Sequence, residues 1–303
     1  MTERELVIVG AGPAGVSAAL WARSHELDPL LLEAATRAGG QLLHVHFEPH
    51  DLAGSEPGDG ATLAARYGEQ LERAVVSARL GTEVRSLTVS PAPRLTLASG
   101  EQVSARALLV ATGARRRRLD VAGERELEDH GVSYSATRDR EQFAGRAVAV
   151  VGGGDAACEN ALLLVAAGCD VTLIARAALR ARREFRERVA AERRIRVLEG
   201  ARVLEVLGTT RVTGLKLATP DGERTLACEG VVVKVGVVPG TDWCRDVLPH
   251  DAEGYLRVDG SFATPVAGVW AAGDVVRPAL LSVAVAVGQG ALAAAAIRRT
   301  LRS

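Results

Sequence analysis

The sequence predicts an α/β protein with two doubly wound, Rossmann-like nucleotide-binding domains, and three observations carry that prediction. The apolar run 6–9 leads into Gly10-Ala11-Gly12-Pro13-Ala14-Gly15 and then into residues 16–21, which have helical character. Further on, the apolar run 146–151 leads into Gly152-Gly153-Gly154-Asp155-Ala156-Ala157 and a helical run over 158–167. Each helix is followed by a further strand, 30–32 in one copy and 171–174 in the other, and the same spacing separates Gly10 from Glu33 and Gly152 from Ala175. The chain therefore contains an internal repeat of one strand–glycine turn–helix–strand unit.

In the first copy the short apolar run reads as a buried parallel strand. The glycines permit a tight turn, a close backbone approach to a pyrophosphate and close helix–strand packing, while the helix N-terminus offers unpaired N–H groups to phosphate. Glu33 closes the next apolar run at the distance where a carboxylate binds a ribose diol. In the second copy that position is Ala175, followed by Arg176. An arginine attracts a 2′-phosphate that an acid would repel, so the second site leans towards NADPH over NADH, with Arg180 near in sequence. The stretch 180–196 reads as a charged helix.

Length and composition agree with an enzyme of two ordinary domains: 303 residues, with Lys+Arg and Asp+Glu at 37 each. With no net field, neither nucleic acid nor an anionic membrane is an expected partner. Cys158, Cys169, Cys228 and Cys244 show no CxxC and no metal-ligand spacing, so they read as separate apolar residues in a reducing cytoplasm, and no metal is expected. The first apolar run already serves the nucleotide turn, so no signal peptide is expected. Residues 279–297 are free of charge, but alanine-rich and interrupted by Ser282 and Gly288-Gln289-Gly290, and read as a helix buried inside the protein rather than a membrane span.

Two nucleotide sites on one chain point to FAD in the first and a nicotinamide cofactor in the second. Ala111-Thr112-Gly113 after the strand 107–110, and Ala272-Gly273-Asp274 after a strand over 266–270, support the flavin assignment. Asp274 is placed to bind ribityl or phosphate-side hydroxyls, and a helix starting near Pro278 would aim its positive end at the flavin.

These residues, together with Gly39-Gly40-Gln41-Leu42, Gly131-Val132-Ser133 and Val235-Gly236 with Pro239, resemble the low-molecular-weight thioredoxin reductases over nearly the whole chain. The resemblance implies a discontinuous FAD domain (1–115 and 241–303), an inserted NAD(P)H domain (116–240) and a cytoplasmic homodimer. It also implies that Gly40 and Gln41 run beside the flavin ring. In that family a Cys-Ala-Thr-Cys-Asp segment carries the redox disulfide; here the segment reads Ser135-Ala136-Thr137-Arg138-Asp139. A serine and an arginine form no disulfide, and no other cysteine pair is spaced to replace them. An Arg-Gln pair of the family, which contacts the flavin ring, aligns with Leu281-Ser282.

On this alignment Ser135, Arg138 and Asp139 are the catalytic candidates: Arg138 as a fixed cation raising the flavin potential, Asp139 as a proton donor to an acceptor. The alternative is a surface loop without catalytic duty. His44, His46 and His50 follow Gly40-Gln41 and read as a proton-donor cluster or a plain loop. The expected activity is hydride transfer from NAD(P)H to FAD, with electrons passed to an acceptor other than thioredoxin. That acceptor is a small molecule or a small electron-carrier protein such as ferredoxin or flavodoxin, whose docking would use a basic patch at 115–118. The non-enzymatic alternative is an FAD-binding redox sensor.

Overall fold

The computed structural model describes residues 3–45, 48, 52–54 and 58–302. In chain order the elements are β1 (Glu3–Val9), α1 (Pro13–Ser24), β2 (Pro29–Leu32), α2 (Gly60–Arg73), β3 (Ser77–Arg79), β4 (Val84–Thr88), β5 (Arg94–Leu97), β6 (Gln102–Val110) and β7 (Ala114–Arg116). There follow β8 (Val132–Ser133), α3 (Ala136–Asp139), β9 (Ala147–Val151), α4 (Asp155–Ala166), β10 (Asp170–Ile174), α5 (Arg183–Ala191) and β11 (Ile195–Leu198). The chain then forms β12 (Arg202–Gly208), β13 (Val212–Thr219), β14 (Gly222–Ala227), β15 (Gly230–Val233) and β16 (Val237–Pro239), and ends with β17 (Val269–Ala271) and α6 (Val283–Arg302).

The chain divides into two compact units, Met1–Arg115 with Val238–Ser303, and Arg116–Val237. The second crossing thus falls just before Val238, not after Gly240. Gly240 belongs with the first unit because its N–H donates to Gly113 O (2.9 Å) and its carbonyl accepts from Thr112 Oγ1 (2.7 Å).

In unit 1 the sheet order is β3-β2-β1-β6-β5-β4, with β17 also pairing β6. β1 lies parallel to both β2 and β6, in register Val9↔Leu32 and Val9↔Val110. Successive β-strand side chains point to opposite faces. Accordingly Leu6 and Ile8 join the core formed with α1 and α6, while Val7 and Val9 join the core on the other face. A strand covered on both faces is apolar at every position, and this is why 6–9 is a continuous hydrophobic run.

Unit 2 repeats the plan with an all-parallel sheet, β11-β10-β9-β15-β8. Val148 and Val150 face the core with α4; Ala149 and Val151 face the opposite core. An antiparallel sheet, β12-β13-β14, covers that second face through Val203, Val206, Leu215 and Leu217.

Four sequence expectations are corrected. The strand expected over 266–270 is β17, Val269–Ala271, because Val269 N–H closes a turn onto Val266 O and Thr264 Oγ1 occupies Val266 N–H. The helix expected near Pro278 starts at Val283, where Ser282 Oγ accepts from Val285 N–H as a cap; Asp274–Val276 is a short 3-10 turn. That helix is not buried all round: Ala286, Gly290, Ala293, Ala294 and Ile297 face the core, whereas Leu292 is 61% exposed. The charged stretch 180–196 is helical only over α5, Arg183–Ala191, after which Ile195–Leu198 pairs parallel with β10. Among the described residues no helix is long and apolar enough to cross a membrane.

Candidate functional site

The repeat seen in the sequence is a repeat in three dimensions. Gly10 N–H donates to Leu32 O (2.7 Å) and Gly152 N–H to Ile174 O (2.8 Å), each closing the glycine turn onto the neighbouring strand. Both glycines have positive φ, 106° and 149°. A Cβ at Gly10 would collide with the carbonyl of Ala111, and one at Gly152 with the carbonyl of Lys234, so side chains are excluded there twice over. In both turns, therefore, the residue following the next parallel strand, Ala111 after β6 and Lys234 after β15, packs on the first glycine.

Both helices that leave these turns start without a side-chain cap. The N-cap of α1 is Gly12 and that of α4 is Gly154, whereas α2 and α3 are capped by Asp59 and Ser135. Uncapped first-turn N–H groups at the positive end of a helix need an acceptor from outside the helix, and a phosphate supplies one.

In unit 1 the turn opens into a cavity of about 740 Å³. Of the residues expected to hold the first nucleotide, Gly10, Gly12, Pro13, Ala14, Glu33, Gly40, Gln41, Ala111, Thr112, Gly113, Gly273 and Asp274 line it. Gly15 lies beneath the turn, where a Cβ would collide with Gly10 O. Glu33 Oε2 accepts from Ala11 N–H (2.7 Å) and Oε1 from Ala35 N–H (2.8 Å), which pins the carboxylate at the mouth of the turn with a lone pair left on each oxygen. The Gln41 amide donates to Ala114 O. Burial raises the Asp274 carboxyl above its ordinary range, and among the described residues no donor meets it.

Sequence reasoning misses Gln289, whose Oε1 accepts from Gly273 N–H (2.8 Å) and ties α6 to the Gly273-Asp274 turn. In the sequence it reads only as an interruption in an alanine run. Ser17 Oγ, donating to Val287 O (2.8 Å), adds a second tie between α1 and α6. Leu281, Ser282 and Val283 stand on the cavity wall beside Ala286, so the apolar replacement noted at 281 faces the ligand space. His44 also lines the cavity; His46 and His50 lie outside the described residues. Among the described residues no group of three or more His, Cys, Asp or Glu is arranged to hold a metal.

In unit 2, Gly152, Gly154 and Ala156 form the turn and the start of α4. Asp155, in its first turn, is occupied on both oxygens by Arg182: the backbone N–H and then the guanidinium, each at 2.7 Å, hold the carboxyl below its ordinary range. This neutralises an acid at the positive end of a helix, where it would otherwise repel an anion. Arg176 and Arg180 are exposed and, among the described residues, make no ion pair.

The segment 133–139 is closed on itself. Ser135 Oγ caps α3 by accepting from Arg138 N–H (3.4 Å), and Asp139 is buried, with Oδ2 accepting from Ser133 Oγ at 2.5 Å. Arg138 clamps Asp139 through Nε (2.7 Å) and Nη2 (2.8 Å) and reaches Asp129 (2.8 Å). The arginines at 115–118 are largely spoken for: Arg115 pairs with Asp242 (2.7 Å) and Arg118 with Glu128 (2.8 Å), while Arg117 reaches Val237 O (3.5 Å). Two of the four arginines are thus paired with acids. The four cysteines are buried free thiols, with burial pushing all four up, Cys228 and Cys244 to about 12.

Lys234, also missed from the sequence, sits in the turn after β15 with Nζ donating to Tyr134 O (2.7 Å). Burial, and then the charge of Arg116, bring its ammonium down to about 8 from an ordinary value of 10.5. Below about pH 8 both native and unfolded chains carry the proton, and the full cost of burying the charge is present. Between 8 and 10.5 only the unfolded chain holds it, so native stability rises with pH. Lys234→Met is therefore expected to stabilise the protein by about 1–3 kcal/mol at pH 7. The gain should shrink to nothing above pH 10.5 in denaturant titrations.

Two glycine-turn nucleotide sites in two units, one opening into a large cavity, define a two-nucleotide oxidoreductase. The chain belongs to the pyridine nucleotide-disulphide oxidoreductase family, whose sequence profile matches residues 4–290. It is 33% identical to thioredoxin reductase of Listeria monocytogenes, covering 95% of this chain and 91% of that protein. It is 35% identical to the bifunctional thioredoxin reductase/thioredoxin of Mycobacterium leprae, covering 99% of this chain and 66% of that protein. Among solved structures it matches Lactococcus lactis thioredoxin reductase with a TM-score of 0.87 at 28% identity, over 99% of both chains. The protein is an FAD-dependent NAD(P)H oxidoreductase of the thioredoxin reductase type.

Proposed function

We propose that unit 1 holds FAD, that unit 2 holds NAD(P)H, and that the electrons leave to an acceptor other than thioredoxin. The single observation that carries the last point is the replacement of both sulfurs in the redox segment by Ser135 and Arg138, in a chain whose four thiols are all buried. Relatives named thioredoxin reductase match the chain over almost its whole length.

FAD bound in the cavity supplies hydride acceptance from the nicotinamide and onward electron transfer. The residues present fit that group. The N–H groups at the start of α1 meet a pyrophosphate, Glu33 keeps lone pairs for a ribose diol, and Asp274 offers an unmet carboxylate to hydroxyls. Gly12 and Gly40 face one another across the turn, which lets the ligand approach the backbone. In unit 2, Gly152 to Ala156 receive the second pyrophosphate, and Arg176 with Arg180 favours a 2′-phosphate. Arg138 is paired with two carboxylates, Asp139 and Asp129, so the 135–139 segment offers no net positive charge to the flavin, and this favours the reading of a loop without catalytic duty. Asp139, clamped on both oxygens, holds Arg138 in place, and Ser135 caps the helix that carries them.

The pairing of Arg115 and Arg118 with acids reduces the positive charge of the 115–118 run and favours a small-molecule acceptor over ferredoxin or flavodoxin. A cytoplasmic homodimer is the assembly this reading adopts. The test is anaerobic stopped-flow reduction of the yellow protein by NADPH and NADH in separate runs. Rapid bleaching by NADPH, followed by reoxidation with a quinone or oxygen but not with thioredoxin, is the expected result. Failure of both nucleotides to bleach the flavin would favour a redox sensor, and brisk thioredoxin reduction would refute the acceptor assignment.

A further inference from the structure

The sheet of unit 2 changes direction between β9 and β15: β10 and β11 extend it on one side, β15 and β8 on the other. In such sheets the crevice outside the carboxyl ends of the two diverging strands is where ligands bind. Lys234 stands there, immediately after β15, with its carbonyl packed on Gly152 at the end of β9. Through the internal repeat it occupies the place of Ala111, and Ala111 lines the cavity of unit 1. A lysine thus replaces an alanine at the position where the two turns would present the same wall to their ligands.

The ammonium is incompletely satisfied by the protein. One of its three N–H donors meets Tyr134 O at 2.7 Å; among the described residues no carboxylate lies in ion-pair range, Glu159 acting on it only through space. Its other charged neighbour, Arg116, repels it. A half-buried cation beside a like charge, with two donors unmet, costs stability that an oxygen-rich ligand would return.

We propose that Lys234 is a positioning residue for the nicotinamide of the dinucleotide, donating to its amide oxygen in the crevice between β9 and β15. This rests on unit 2 being the NAD(P)H site. With the pyrophosphate on the Gly152–Gly154 turn and the adenosine end towards Arg176, the nicotinamide end is the part left to lie along β15. Lys234 then selects for the presence of the nicotinamide, whereas Arg176 and Arg180 select for the phosphate on the adenosine ribose.

The experiment is calorimetric titration of the FAD-loaded protein and of Lys234→Met, a variant expected to fold at least as stably as the parent. Two ligands are compared: the 1,4,5,6-tetrahydro analogue of NADPH, which cannot reduce flavin, and 2′-phospho-ADP-ribose, which lacks the nicotinamide. A charge-assisted hydrogen bond lost from one ligand alone should weaken the analogue about 10- to 100-fold while 2′-phospho-ADP-ribose changes less than about twofold. Lys234→Arg, which keeps a donor, should recover part of the loss. Equal affinity of both proteins for the analogue, or an equal loss for both ligands, would overturn the role of Lys234. Failure of the parent protein to bind even 2′-phospho-ADP-ribose would instead refute the nucleotide reading of unit 2, and this proposal with it.

Discussion

Gly290→Val is expected to strip the protein of flavin and to destabilise unit 1 by about 3 kcal/mol, whereas Gly288→Ala on the same helix should stabilise it by about 0.5–1 kcal/mol. Helix propensity alone favours both changes, since glycine is the poorest ordinary helix former. Space separates them. A Cβ at Gly288 meets nothing within 4 Å, while one at Gly290 would strike the carbonyl oxygen of Ala14 and lie 2.9 Å from its carbonyl carbon. Ala14 is in the first turn of α1, the turn whose free N–H groups face the cavity. Backbone cannot yield as a side chain can, so α6 must move away from α1. That opens the alanine-packed seam of Ala18, Ala19 and Ala22 against Ala293, Ala294 and Ile297. The tie from Gln289 to Gly273 would be lost with it, and Asp274 would shift. Urea titrations of both variants, with the ratio of flavin to protein absorbance after purification, check this. A Gly290→Val protein that keeps full flavin and parental stability would show that the α1–α6 approach is not what holds the site.

Arg138→Met should destabilise unit 2 by about 2 kcal/mol, because among the described residues it leaves the buried Asp139 carboxylate with Ser133 as its only side-chain donor. Breaking a fully buried pair costs about 3–5 kcal/mol. The smaller figure reflects an arginine that is 44% exposed and therefore screened by solvent. Asp139→Asn in the Arg138→Met background should recover much of the loss, since a neutral amide no longer needs the cation. A double-mutant cycle by denaturant titration reads the coupling, expected at about 1–2 kcal/mol. The same reasoning bears on any attempt to restore the family's dithiol. Arg138→Cys removes the clamp along with the arginine, so a Ser135→Cys, Arg138→Cys protein should lose stability unless Asp139 is changed too. The segment has become a self-contained ion-pair network, and sulfur cannot simply be returned to it.

Much of the nucleotide machinery is legible in the order of residues. The apolar run 6–9 reads as a buried strand, Gly10 and Gly12 as a turn, and Gly15 as the residue that lets the following helix pack close. Copies of one unit at equal spacing in one chain have to build two similar sheets. These features are local: they depend on which backbone conformations a residue allows and on the alternation of side chains along a strand. Glu33 is visible for the same reason, as the acid that directly follows the next apolar strand.

The errors and omissions share a different cause. The start of α6 is misread because its cap, Ser282, is one serine among many until Val285 N–H is seen to donate to it. Gln289 looks like a flaw in an alanine helix, and it joins residues far apart in the chain. The run Arg115 to Arg118 reads as four equivalent cations because the acids that pair with two of them, Glu128 and Asp242, lie outside the run. Lys234 passes for one residue in a valine-rich strand end; only the parallel pairing of β15 with β9 brings it onto Gly152.

The sequence by itself determined that this is an α/β chain with two repeated glycine-turn units, since turn glycines and strand periodicity are properties of consecutive residues. Tertiary structure alone decided which charges are free, which are clamped and which polar groups still need a partner. Those are sums over neighbours from separate segments, and a buried charge or unmet donor exists only once the fold has removed the water that would otherwise satisfy it.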